Sequence, residues 1–144
     1  MRIDECMTRD VRIVDPDETL EEAAQAMAEI DAGILPVGRN DRLVGMITDR
    51  DIAIRGVAHG RGPGAKVGDV MSAEVKYCFI DDDTKNVLDN LGEIQVRRLP
   101  VLDREKRLVG IISITDLAGK GEAMRVGRAL GQIAQPSGQH SQMA

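Results

Sequence analysis

The sequence predicts an α/β fold made of two βαββα repeats packed with pseudo-two-fold symmetry. Three observations carry the prediction. The string RLVGMI at 42–47 returns as RLVGII at 107–112, LPV at 35–37 returns as LPV at 99–101, and Ile3, Met7 and Thr8 are matched by Val67, Met71 and Ser72. The offset is 64 early in each half and 65 late, so one residue has entered the turn between the LPV and LVG strands. Several signals in one order at nearly constant spacing mark an internal duplication. The first repeat is expected over 1–58, a Gly/Pro linker over 59–66, the second repeat over 67–118, and a C-terminal helix with a polar tail over 119–144. A half of roughly 50 residues is too small to stand alone, so the two are expected to bury one shared core.

Each half opens with a short strand rich in β-branched residues, over 11–14 and 75–80. A helix follows. Thr19 and Glu22 have capping-box spacing, and Leu20, Ala23, Ala24, Met27 and Ile30 are expected on its buried face. Its counterpart begins near Thr84 and buries Val87, Leu88, Leu91 and Ile94, with Gly92 as an interruption. Two strands come next, over 34–37 and 43–48, then over 99–102 and 108–113, joined by polar turns at 38–41 and 103–106. Closing helices start near Asp49 and Thr115. The seven acidic residues in 15–31 read as a solvated helix face. Beyond the repeats, 119–135 reads as a helix with Ala123, Val126 and Leu130 at helical spacing and a net positive charge from Lys120, Arg125 and Arg128 against Glu122.

Composition narrows the function classes. At 42% hydrophobic the chain is too apolar to be disordered, yet no apolar run approaches the ~18–20 residues of a membrane helix. The polar start Met1-Arg2-Ile3-Asp4-Glu5 shows neither signal nor transit peptide, so a cytoplasmic, non-membrane protein is expected. A net charge of −5, no Trp, and single copies of Tyr77 and Phe79 argue against a nucleic-acid partner. Cys6 and Cys78 align with Val70 and Val14, which reads them as small buried apolar groups rather than a disulfide or zinc pair. His59 and His140 have no partners at metal-ligand spacing, and no Ser sits in a nucleophile elbow. The expectation is therefore no enzyme, no metal and no required cofactor.

The repeated chemistry lies where a strand meets a helix. Thr48 and Asp51 in the first half, Ser113 and Asp116 in the second, give hydroxyl-x-x-carboxylate. Two readings fit. One is a capping box with Asp in place of Glu. The other is a nucleotide site, in which the hydroxyl meets a phosphate oxygen and the carboxylate accepts ribose hydroxyls.

Two halves carrying M-[ST], LPV and LVG-x-I-[ST]-x-x-D resemble a pair of CBS (cystathionine β-synthase type) domains, together a Bateman module, and the chain resembles the small stand-alone bacterial members. The resemblance covers about residues 2–118. It implies clefts between the halves that bind AMP, ADP or ATP, and in some members NAD or S-adenosylmethionine. It implies that Thr48, Asp51, Ser113 and Asp116 hold ribose and phosphate. The pocket would be completed by Gly33, Ile34 and Leu35 in the first half and by Val96, Arg97, Arg98 and Leu99 in the second. It also implies a homodimer paired through helices, here Ala23, Ala24, Met27, Ile52 and Ala53, and an unidentified protein partner that reads a ligand-driven change of shape. The alternative is a structural dimerisation module with degenerate ligand sites. Arg97 and Arg98 are solvated, pair with Asp103 and Glu105, or meet phosphate. As neighbours on a strand they are expected to point to opposite faces.

Overall fold

The computed structural model describes residues 1–119 and 122–136. The sequence expectations for Lys120, Ser137, Gly138 and His140 lie outside them. The chain divides into two compact units, Arg12–Val75 and Met1–Val11 joined by the chain from Lys76 onward. The units therefore cut across the sequence repeats, because the leading turn of each repeat packs in the unit built by the other.

In the Arg12–Val75 unit, Thr19 caps α1 (Leu20–Ile30): its Oγ1 accepts the Glu22 N–H at 3.1 Å, and Glu22 Oε1 accepts the Thr19 N–H at 3.4 Å. Asp31, left-handed at φ 52°, ends the helix. Its buried face is Leu20, Ala23, Ala26 and Met27, whereas Ala24 and Ile30 are exposed. The expected stripe was misplaced because one step of about 100° from Ala23 carries Ala24 away from Ala26. Strands β1 (Ile34–Arg39) and β2 (Arg42–Thr48) pair antiparallel through a two-residue turn, with Asn40 at φ 54° and Asp41 at φ 63°. That conformation suits a tight hairpin, so the turn is shorter than the four polar residues suggested. The expected strand at 11–14 shrinks to one parallel bridge, Val14 with Val37. In the other repeat the Ile80 N–H extends the ladder to the Leu102 carbonyl. The matching residue here is Pro16, which has no N–H to donate. After β2, α2 (Asp49–Asp51) runs into a π-turn at Ile52–Gly56.

The second unit repeats the plan. β3 (Cys78–Phe79) pairs parallel with β4 (Arg98–Leu102), which pairs antiparallel with β5 (Leu108–Ser113). α3 (Thr84–Glu93) is capped by Asp83, whose Oδ1 accepts the Lys85 N–H at 2.8 Å; Thr84 is already a buried helical residue. α4 (Ile114–Ala118) follows β5, and α5 (Ala123–Ile133) closes the unit with Val126 and Ala129 buried, not Ala123 and Leu130.

Each unit closes over its own apolar cluster, in place of the single shared core expected. The borrowed turns make this possible. Ile3 and Met7 complete the cluster around Leu88, Leu99 and Ile112, while Val67 and Val70 complete the one around Leu35 and Ile47. Backbone bonds fasten the turns. Thr8 and Ile111 exchange N–H···O bonds of 2.9 and 3.0 Å, and Met46 and Ser72 exchange bonds of 2.9 and 2.8 Å.

Gly92 proves to be a contact point, not a defect. A Cβ there would collide with the Gln132 side chain and stand 3.1 Å from the Ala129 Cα. Gly92→Leu should therefore push α5 off α3 and destabilise the protein by about 1–3 kcal/mol, despite the better helix propensity of Leu. Denaturant unfolding and amide exchange in α5 measure this, and full protection of α5 in the variant would refute it. Cys78 is buried as expected, while Cys6 is half-buried. Burial, with help from Asp82 and Cys6, pushes the Cys78 thiol up to about 12. Cys78 should resist a disulfide reagent at about pH 8 in the folded protein and react fully in denaturant, since only thiolate attacks.

Candidate functional site

Thr48 ends β2 and caps α2. Its Oγ1 accepts the Asp51 N–H at 2.9 Å, and Asp51 Oδ2 accepts the Thr48 N–H at 3.0 Å. Both residues are almost wholly buried, at 2% and 1% exposure. The capping reading is thus correct as geometry, but it uses only one carboxylate oxygen. Asp51 Oδ1 is buried with no hydrogen-bond partner, and the nearest cation, Arg55 Nε, is 3.8 Å away from it. A buried acceptor without a donor is unfavourable.

Ser113 and Asp116 build the same box between β5 and α4, with bonds of 3.2 Å (Asp116 N–H to Ser113 Oγ) and 3.0 Å (Ser113 N–H to Asp116 Oδ2). Here the box is only half-buried. Ser113 Oγ also lies 2.8 Å from Thr115 Oγ1. These hydroxyls open on a cavity of about 240 Å³ lined by Arg97, Arg98, Ser113, Ile114, Thr115, Ala118, Val126 and Leu130.

Both arginines are among the residues that line that one cavity. The strand begins at Arg98, so Arg97 precedes the regular pleat, and its carbonyl accepts the Ile114 N–H at 2.9 Å. Two residues earlier Gln95 is left-handed at φ 58°. The pairing of Arg97 and Arg98 with Asp103 and Glu105 is also overturned. Arg107 takes both carboxylates, Asp103 at 2.8 Å and Glu105 at 3.5 Å. Hydrogen bonds from the Arg107 backbone and guanidinium hold the Asp103 carboxyl below its usual range. Among the described residues, no carboxylate pairs with the guanidinium of Arg97 or Arg98.

The matching corner of the first repeat has the opposite charge. Gly33 and Ile34 stand in place of the arginines, and Asp49 in place of Ile114. Gly33 accepts the Asp49 N–H at 2.9 Å, and a Cβ on Gly33 would lie 2.9 Å from Asp49 Oδ2. Ile34 is buried opposite Thr48 in the β1–β2 register, and Leu35 belongs to the core cluster. Val96 packs against the core of its unit and does not line the arginine cavity. A second cavity of about 280 Å³, lined by Leu20, Ala24, Ile52, Val57 and Pro63 among others, includes neither Thr48 nor Asp51. Of the helical residues expected at a dimer face, Ala23 and Met27 are core, Ile52 is half-buried, and Ala24 and Ala53 are exposed.

Sequence reasoning missed Ile114, Thr115, Ala118, Val126 and Leu130 as cavity residues. Thr115 was signalled by its place inside the repeated motif. The two α5 residues gave only helical spacing, which does not name the surface they meet. Among the described residues no three His, Cys, Asp or Glu side chains gather as a metal site, and no helix is long and apolar enough to cross a membrane.

The family model described as the CBS domain matches residues 3–56 and 67–121. The CBS domain-containing protein YhcV of Bacillus subtilis is 38% identical over 116 residues, which are 81% of this chain and 82% of that protein. The crystal structure of Hypoxic Response Protein I with two coordinated zinc ions is 40% identical, with a TM-score of 0.75 over 83% of this chain and 98% of that one. The CBS domain pair of protein MJ0100, in complex with 5′-methylthioadenosine and S-adenosyl-L-methionine, shares the fold at 21% identity, with a TM-score of 0.74 over 86% of this chain and 98% of that one.

Proposed function

The chain belongs to the CBS domain family, and on that premise we propose that it is a non-enzymatic cytoplasmic sensor that binds an adenine nucleotide at the arginine-lined cavity. The observation that carries this reading is the pair Arg97 and Arg98, free of carboxylate partners among the described residues, beside two hydroxyls and an apolar wall. Guanidinium forks match phosphate bidentately. Ser113 and Thr115 add hydroxyl donors, Asp116, next to the lining in the same box, would accept from ribose, and Ile114 and Ala118 offer apolar surface to a base. The unpartnered Asp51 Oδ1 supports a ribose role in the first repeat as well. MJ0100 shows that a protein of this fold accommodates adenosine compounds. AMP, ADP, ATP, NAD and S-adenosylmethionine are the candidates. The Asp49 carboxylate at the Gly33 corner repels phosphate, so the anionic end of the ligand belongs with Arg97 and Arg98. Occupancy is passed to a protein partner as a shift between conformations, limited by how much the ligand prefers one of them.

A thermal-shift screen of these compounds tests the reading, because a ligand that binds only the native state raises the melting temperature. No shift with any of them would reject it. Asp116→Ala should weaken binding at the arginine-lined cavity, and Asp51→Ala binding at the first repeat, each by about 10–150-fold in calorimetry, from lost charge-assisted hydrogen bonds of roughly 1.5–3 kcal/mol. Replacing Arg97 and Arg98 with Met should weaken ATP more than adenosine and flatten the salt dependence. Equal losses for both ligands would mean the arginines act through the fold.

The module reading without a ligand keeps one observation in its favour. Val57 is 68% exposed beside Ala24 and Ile52, and Ile30 and Ile54 are exposed as well. We propose that this face pairs two copies of the chain, whatever the clefts bind. Light scattering should give twice the 15.6 kDa chain mass, and Val57→Asp should reduce it to a single chain. A single-chain mass for the unaltered protein at micromolar concentration would exclude the dimer.

A further inference from the structure

The C-terminal helix α5 lies beyond both family matches, the second of which ends at residue 121. It is nevertheless built into its unit at three places. Gly92 allows the Ala129 backbone to approach α3, Arg125 Nη1 lies 3.3 Å from Asp89, and Gln95 Nε2 donates to the carbonyls of Gln132 at 2.8 Å and Gln135 at 3.3 Å. Its buried residues Val126 and Ala129 belong to the same apolar cluster as Leu99 and Ile112.

One turn apart on α5, Val126 and Leu130 both line the cavity that holds Arg97, Arg98, Ser113 and Thr115. Leu130 remains 42% exposed there. The lining therefore combines two chemistries: the guanidinium and hydroxyl groups, and the apolar side chains of Ile114, Ala118, Val126 and Leu130. A ligand with an anionic end and a flat apolar body satisfies both. Gln95 ties them together, since its side chain holds the last turn of α5 while its left-handed backbone leads into Arg97 two residues on.

Resting on the nucleotide reading above, we propose that α5 supplies the base-binding wall of this cavity, with Val126 and Leu130 in contact with the nucleobase of a ligand whose phosphate meets Arg97 and Arg98. The helix is then a ligand-selecting addition to the repeat, and Gln95 is the positioning residue that sets wall and arginines in register.

Calorimetry with AMP and with inorganic triphosphate tests this on the full chain. Leu130→Ala, at a partly exposed position, should weaken AMP by about tenfold and leave inorganic triphosphate within about twofold. Magnetisation transfer from the adenine H2 or H8 proton to the Leu130 or Val126 methyl groups should be visible in the unaltered protein. Unchanged AMP binding in Leu130→Ala, while the arginine variants still lose it, would overturn the wall and leave the nucleotide reading standing. Equal loss of both probes would overturn it too, because the side chain would then act through the fold. No saturable binding of AMP, ADP or ATP by the unaltered protein would remove the nucleotide reading and the wall together.

Discussion

Both site motifs hang on the contact between a leading turn and a glycine in the last strand of a repeat. A Cβ at Gly45 would stand 2.7 Å from the Ser72 carbonyl oxygen, and one at Gly110 would stand 2.8 Å from that of Thr8. No side chain fits such an approach, since the obstacle is backbone and cannot swing aside. The contact pins β2 and β5 on the edge away from their hairpin partners. Three residues after each glycine the strand ends in the hydroxyl that caps the next helix. The placement of Thr48 with Asp51, and of Ser113 with Asp116, is inherited from that pinned edge. The paired signals M-[ST] and LVG are thus the two halves of one contact, exchanged between repeats.

Given that common frame, the two repeats differ in charge more than in shape. Asp31 and Gln95 take the same left-handed conformation before the entering strand, and both strands end in the same capping box. At the corner where strand entry meets helix start, one repeat places a carboxylate against a glycine and the other places two arginines near an isoleucine. The cap engages one oxygen of Asp51 and leaves the other without a hydrogen bond.

The repeat, the hairpins and the capped helices were legible in the sequence because they follow local rules. Periodicity marked the strands, Thr19 marked a helix start, and the hydroxyl-x-x-carboxylate spacing marked the caps. The misreadings were of two kinds. Ala24 was assigned to the core because a short helix offers several overlapping apolar faces, and only the sheet beneath it selects among them. Gly92 looked like a weakness because the residue that makes it necessary, Ala129, lies on a helix whose docking no local pattern announces. Of the polar residues that line the cavity, Arg97, Arg98 and Ser113 were named through the repeat and the family pattern, and Thr115 was not. That Arg97 and Arg98 border a cavity together with α5 was not legible, since no local pattern announces where that helix docks. Leu35 and Val96 illustrate the same limit: position beside LPV does not say which way a side chain turns, and both pack with the apolar cluster of their own unit.

Exchange of the leading turns changes what counts as the smallest folding unit. A chain with a single repeat would carry a turn that its own sheet does not receive and a sheet edge that its own turn does not cover. It could complete itself only by trading turns with a second molecule, in a bimolecular encounter whose yield falls on dilution. Joining two repeats in one chain replaces that encounter with an intramolecular closure set by the linker, so each unit is completed at any protein concentration. Covalent duplication therefore does thermodynamic work here, turning a concentration-dependent swap into a permanent one. It also frees the two copies of the site motif to diverge in charge, as the Gly33–Asp49 and Arg97–Arg98 corners have done.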